Sequence, residues 1–359
     1  MSPHLLSDSP DAAAGEPNRQ AGNTASAGES GFRKTAITAV KLLVALLVIA
    51  APVLVAAKFI PGVSSIAFFG VLAAVFGWMS GGPKIGAAVV ASLSVLGVVS
   101  ILLRDHTWAL ALILLLLGVA YGYAASWGMG KAVLQLPILT PYFMSSPPPL
   151  FQNPPIIDAK YVLGMVAVML VTGLWALLVL HVAGGARKLT LGEVKTPRIP
   201  IIYGTILGVF SAGVMVIGTT TEVKTHWVWV TLTLYVLADP QQLFTPSKMV
   251  GRVLGTVLGF VVVSLLVLVG TPDLVMHLAA LGALWACMVF MVLRKPYWEY
   301  ALFLTIAVIL MDFSGVDTLL LNAERMGFTL VGAGISVAVA LIVNLIGYRR
   351  VGLAAPDPE

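Results

Sequence analysis

Residues 159–183 read AKYVLGMVAVMLVTGLWALLVLHVA. Between Tyr161 and Leu180 no side chain carries a charge, and the run has the length, about 20 apolar residues, that a helix needs to cross a hydrocarbon core. Comparable runs precede it at 36–57, 62–80, 84–103, 107–127 and 130–145. Others follow at 200–218, 226–238, 249–269, 273–293, 297–313 and 324–347. Those near 130 and 226 are the shortest. The chain is 59% hydrophobic and 10% charged, against roughly 25% charged in an average soluble domain. No soluble fold hides that much apolar surface, so the solvent for most of these residues is lipid.

Basic residues set the expected orientation, because Lys and Arg in short loops are retained on the cytoplasmic side during insertion. With an inside amino terminus, Arg33, Lys34, Lys84, Lys131, Arg187, Lys188, Lys248, Arg294, Lys295, Arg349 and Arg350 all fall on that side. Only Lys58, Arg104, Lys160, Lys224 and Arg325 fall opposite. The halves also echo one another: Gly82-Pro83-Lys84 corresponds to Pro246-Ser247-Lys248, and Arg187-Lys188 to Arg349-Arg350. The expectation is an all-α integral membrane protein of about twelve transmembrane helices, arranged as two parallel six-helix repeats with both termini cytoplasmic. The segments would be a disordered cytoplasmic tail at 1–32, a first repeat at 33–183, a linker at 184–199, a second repeat at 200–350 and a short tail at 351–359.

Several function classes drop out. The net charge of +5 is scattered singly at segment ends and forms no aromatic-interleaved basic stripe, so nucleic acid is not a partner. A single cysteine, Cys287, supports neither a disulfide framework nor a thiolate metal site. No His-Glu-x-x-His pattern occurs, and neither a metal nor a cofactor is expected. Gly128-Met129-Gly130-Lys131-Ala132 only echoes a phosphate loop: Ala125 and Ala132 stand where glycine and a hydroxyl residue are needed. Without a nucleophile and base at usable spacing, the chain is not read as an enzyme.

The sharpest local pattern is Gly251-Arg252-Val253-Leu254-Gly255-Thr256-Val257-Leu258-Gly259. Glycine at every fourth position gives a helix a flat face for close packing by Gly251, Gly255 and Gly259, with Arg252 and Thr256 beside it, one turn apart. Arg252 reads either as an attractor for an anion or as an end group that snorkels to the interface. In the order Trp227-Val228-Trp229, Gly251 to Gly259, Glu299-Tyr300-Ala301-Leu302 with Thr305, and Glu324-Arg325-Met326-Gly327, the second half resembles the fusaric acid resistance family, which includes the bacterial aromatic acid exporters. The resemblance covers about residues 226–347. Where that family often has Asn before Tyr-Ala, this chain has Glu299, and the soluble region between the membrane halves of larger members is replaced by the short linker.

The resemblance implies a secondary transporter or efflux-system membrane subunit in the bacterial inner membrane that exports small, often aromatic, organic anions. Compatible partners are the lipid bilayer, a periplasmic adaptor and further copies of the chain. A nontransporting scaffold for envelope assembly is the alternative. Ionisable groups inside spans are costly and are therefore pathway candidates: Asp239, Arg252, Glu299, Asp312 and Arg325, each also readable as an interfacial end group. Thr256 and Thr305 join them as hydroxyls beside the pathway. Gln135 and Thr140 join from the fifth span, where Pro137 and Pro141 break the backbone ladder and leave carbonyls for protein or a water cavity to satisfy.

Overall fold

The computed structural model describes residues 18–184, 189, 191–192, 194, 196–221, 227–238, 246–293, 295–311 and 318–351. Its helices are α1 (Asn18–Ala56), α2 (Val63–Leu102), α3 (Thr107–Ser126), α4 (Gly130–Val133), α5 (Gln135–Ser145) and α6 (Ala159–Gly184). They continue with α7 (Arg198–Thr220), α8 (Trp227–Val236), α9 (Pro246–Leu268), α10 (Asp273–Val292), α11 (Tyr297–Met311) and α12 (Thr318–Val351). Among the described residues the extended pairing is limited to one bridge, Leu150 with Gln152. The protein is all-α and membrane-spanning, as every backbone amide in lipid must find its partner within the chain.

The expected twelve spans in two six-helix repeats are not found. Among the described residues, seven helices are long and apolar enough to cross a membrane: Thr35–Ala56, Val63–Leu102, Thr107–Ser126, Ala159–Ala183, Arg198–Thr220, Ser247–Leu268 and Met326–Val343. Seven such helices do not make two equal six-helix halves.

Local backbone geometry explains the difference. The runs at 62–80 and 84–103 belong to one helical stretch, α2, broken at Gly81 and at Gly82 (φ 79°, ψ −170°). Its arms fold back on each other, so that a Cβ added to Gly77 would lie 2.7 Å from the Gly86 Cα. The run at 130–145 is divided between the four-residue α4 and the eleven-residue α5. The run at 226–238 yields only the ten-residue α8, about 15 Å of rise against a core of about 30 Å. Fifteen residues form α11. Hydropathy counts apolar residues without regard to where the chain stops being helical. The first helix also starts at Asn18, inside the segment read as a tail.

Helices pair through glycine. Gly118 and Gly122 of α3 face Gly204 and Gly208 of α7, and a Cβ on Gly122 would lie 2.6 Å from the Pro200 carbonyl oxygen and 3.0 Å from the Gly204 Cα. Lipid tails are as apolar as leucine, so association here comes from dispersion at close range, which small residues permit. On α2, Gly70 lies under the second half of α6, where a Cβ would sit 2.7 Å from Thr172 Oγ1. The proline-rich connection between α5 and α6 is tied down: Tyr161 Oη donates to the Pro148 carbonyl at 2.8 Å, and Phe151 N–H donates to the Pro61 carbonyl at 2.9 Å.

The α3–α7 contact gives a paired test on one helix. A leucine at Gly204 would push the two backbones apart, and overpacking of this kind costs about 1–3 kcal/mol or more. A leucine at Gly213, whose Cβ would meet nothing within 4 Å, replaces a poor helix former by a good one. Thermal unfolding in detergent should show Gly204→Leu well below the parent and Gly213→Leu at or above it.

Candidate functional site

A cavity of about 2010 Å³ lies between the α2–α5–α8 side of the bundle and the α9–α11 group, with α1 and α12 contributing walls. The α9–α11 group is bound together by the glycine face of α9. A Cβ on Gly255 would fall 2.6 Å from the Ala301 Cβ and 2.7 Å from the Trp298 carbonyl oxygen; one on Gly259 would fall 2.8 Å from the Thr305 Cβ; one on Gly251 would fall 3.2 Å from the Trp298 nitrogen. The pairs 251 with 298, 255 with 301 and 259 with 305 advance together, so α9 and α11 run parallel and almost backbone to backbone.

That contact fixes the face α9 turns to the cavity. Lys248, Arg252, Thr256 and Phe260 recur every fourth residue and all line it, as side chains at i and i+4 must on one helical face. From α11 come Tyr297, Tyr300, Leu304 and Thr305, and from α10 Cys287 and Phe290. Among the described residues four cations line the cavity, Lys131, Lys248, Arg252 and Lys295, and no aspartate or glutamate does.

Arg252 is only 5% exposed and Thr256 4%. Arg252 Nε and Nη1, Thr256 Oγ1 and Tyr297 Oη are all buried without a hydrogen-bond partner of ordinary geometry. Tyr297 Oη lies beside the guanidinium, whose charge also reaches Tyr300 and Cys287. Lys248 Nζ stands 6.0 Å from the centre of the Tyr297 ring, and the rings of Tyr297 and Tyr300 are 5.7 Å apart. A buried donor with no acceptor loses its hydration without recompense. Three neighbouring residues in that condition, in a wall without carboxylates, suit an anion that supplies the missing acceptors.

Of the residues singled out from sequence, Arg252, Thr256, Gln135 and Thr305 line this cavity together. Gln135 is buried at the start of α5, and the Thr305 hydroxyl is occupied by the Ala301 carbonyl at 2.8 Å. Thr140 is fully buried, donates to the Leu136 carbonyl at 2.7 Å and faces elsewhere. Glu299 sits half-buried in the first turn of α11, outside the lining. Asp239 and Asp312 lie outside the described residues, as does the side chain of Arg325 in α12. Sequence reasoning took Lys131, Lys248 and Lys295 for orientation markers and passed over Tyr297. The four-residue stripe from Lys248 to Phe260 was the available signal. Among the described residues no group of three or more His, Cys, Asp or Glu could hold a metal ion.

Residues 214–339, from the latter part of α7 into α12, match the family of fusaric acid resistance protein-like sequences. The segment holds α8 to α11 entire, and with them Arg252 and its neighbours, and it gives the chain a family-level resemblance to fusaric acid resistance and aromatic acid exporter proteins. No curated protein and no solved structure matches the chain. A multi-pass all-α membrane protein with such a segment fits a bacterial inner membrane and a transport-related role in general.

Among the described residues no carboxylate of the lining pairs the guanidinium, and its Nε and Nη1 have no hydrogen-bond partner of ordinary geometry. Replacing Arg252 by Met, which keeps the length of the stem and removes the charge, should leave the thermal midpoint in detergent unchanged or raise it. Saturating benzoate should raise the midpoint of the parent by linkage and leave that of Arg252→Met where it is. A drop of several degrees in the ligand-free variant would mean that Arg252 holds the bundle together.

Proposed function

We propose that the protein is a secondary exporter of small aromatic organic anions, or the membrane subunit of a system that exports them, with the cavity as pathway and Arg252 as the group that draws the anion in. One observation carries this reading: the Arg252 guanidinium is buried against a cavity wall that, among the described residues, holds no carboxylate, and its Nε and Nη1 have no partner of ordinary geometry there. A carboxylate leaving water for a lipid-embedded path needs compensating charge. The planar guanidinium supplies two parallel donors that match its two oxygens.

Thr256, one turn along α9, and Tyr297, across on α11, place further hydroxyls beside the same point. Phe260 and Tyr300 give flat apolar surface for a ring. The family resemblance of 214–339 points to the same class of substrate. A scaffold for envelope assembly would have no use for a buried charge that no described carboxylate pairs, and such a charge is costly in a membrane protein.

The test is a graded series at one position. Inverted membrane vesicles carrying the protein should accumulate labelled benzoate, with uptake normalised to folded protein. Arg252→Lys keeps the charge and loses the fork, so uptake should fall partly; Arg252→Gln loses both and should fall to near the vesicle background. Full uptake in Arg252→Gln would remove Arg252 from the mechanism.

A further inference from the structure

The cavity is too large and too one-sided for a small acid alone. At about 2010 Å³ it is twice the upper end of the roughly 300–1,000 Å³ usual for pockets that hold drug-sized molecules. Its length can be read from the two parallel helices. The α9 lining runs from Lys248 to Phe260 and the α11 lining from Tyr297 to Ile309, each about 18 Å of helix axis.

Polarity along that length is graded. Lys248, Lys295, Arg252, Thr256 and Tyr297 cluster where α9 and α11 begin. Beyond them the lining of both helices is apolar apart from the Tyr300 hydroxyl and Thr305, whose hydroxyl is already bonded within α11. The antiparallel α10 follows the same order, with Cys287 and Met288 near the charged end and Leu281 and Leu278 farther along. The opposite wall adds Phe68, Phe69 and Leu72 of α2, with Ser64, Ser65 and Ser80 of the same helix and Gln135 of α5 as its polar members.

We infer that this cavity takes a single-chain anionic amphiphile, a long-chain fatty carboxylate, with its head at Arg252 and its tail along the apolar wall toward Phe260, Leu281 and Ile309. The inference rests on the reading of Arg252 as an anion site and extends it to the remainder of the cavity. A benzoate-sized ion covers only the charged end and leaves the rest of the wall without a partner. Each methylene withdrawn from water favours binding by roughly fourfold, so dodecanoate gains along the wall what benzoate does not. Charge complementarity selects the head, because four cations and no carboxylate line the cavity among the described residues.

The experiment uses the full chain in phosphatidylcholine nanodiscs and dodecanoate bearing a diazirine near its tail end. After photolysis, adducts are mapped by peptide mass. They are expected on cavity residues around Phe260, Leu281 and Ile309. Unlabelled dodecanoate should displace them at concentrations at least tenfold below those of benzoate, dodecylammonium should not displace them, and Arg252→Gln should reduce them at least tenfold. Adducts confined to lipid-facing positions such as Leu163, Val171 and Val182, exposed on α6, would overturn the inference, as would equal competition by dodecylammonium. If benzoate uptake then still depends on Arg252, the small-anion reading stands alone. If that uptake is also indifferent to Arg252, both readings fall.

Discussion

The near-contact of α9 and α11 backbones across Gly251, Gly255 and Gly259 is the interaction on which the site depends. It sets the rotation of α9 about its axis, and that rotation places Lys248, Arg252, Thr256 and Phe260 on the cavity wall. A side chain larger than hydrogen at Gly255 would move α11 outward and turn the guanidinium away from Tyr297. Packing and lining are therefore two faces of one helix: the glycines hold it against α11, and the stripe between them faces the cavity. The same device, glycine against backbone, joins α3 to α7 and the two arms of α2, so the bundle is assembled almost wholly by dispersion at short range.

Hydrocarbon gives a charge no partner, and among the described residues Arg252 is the one charged side chain that is buried. A protein selected only for stability would pair it or replace it. Among the described residues its neighbours do neither: the Thr256 and Tyr297 hydroxyls beside it have no partner of ordinary geometry, and no carboxylate of the lining reaches it. The free energy withheld from folding is available to whatever anion enters, which is how a site can bind without being held shut by its own salt bridges.

Much of this was legible in the sequence, and the reasons for the rest are physical. Spans bounded by charge or turn residues were located closely: the run at 107–127 is α3 (Thr107–Ser126), and that at 159–183 is α6 (Ala159–Gly184). The number and arrangement of spans were not legible. A hydropathy window at 226–238 cannot register that the helix lasts only from Trp227 to Val236, whereas the gap between the runs at 62–80 and 84–103 falls where the chain folds back at Gly82, where only glycine is comfortable. At the site, Arg252 and Thr256 were visible because they interrupt a glycine pattern, whereas Tyr297 carried no signal until α11 was seen against α9. The spacing of Gly118 with Gly122 and of Gly204 with Gly208 is plain in the sequence; that they face each other is a property of the fold.

The claim at the centre of this account is that the cavity recognises negative charge. It can be tested on the ligand without altering the protein. Scintillation-proximity binding of labelled benzoate to the purified full chain, competed with unlabelled benzoate or with benzamide, compares two molecules of nearly the same shape that differ in charge. The account predicts displacement by benzoate and none by benzamide at the same concentrations, since the amide cannot offer a guanidinium two anionic oxygens. Equal displacement by both would show that the cavity reads the ring alone, and would contradict it.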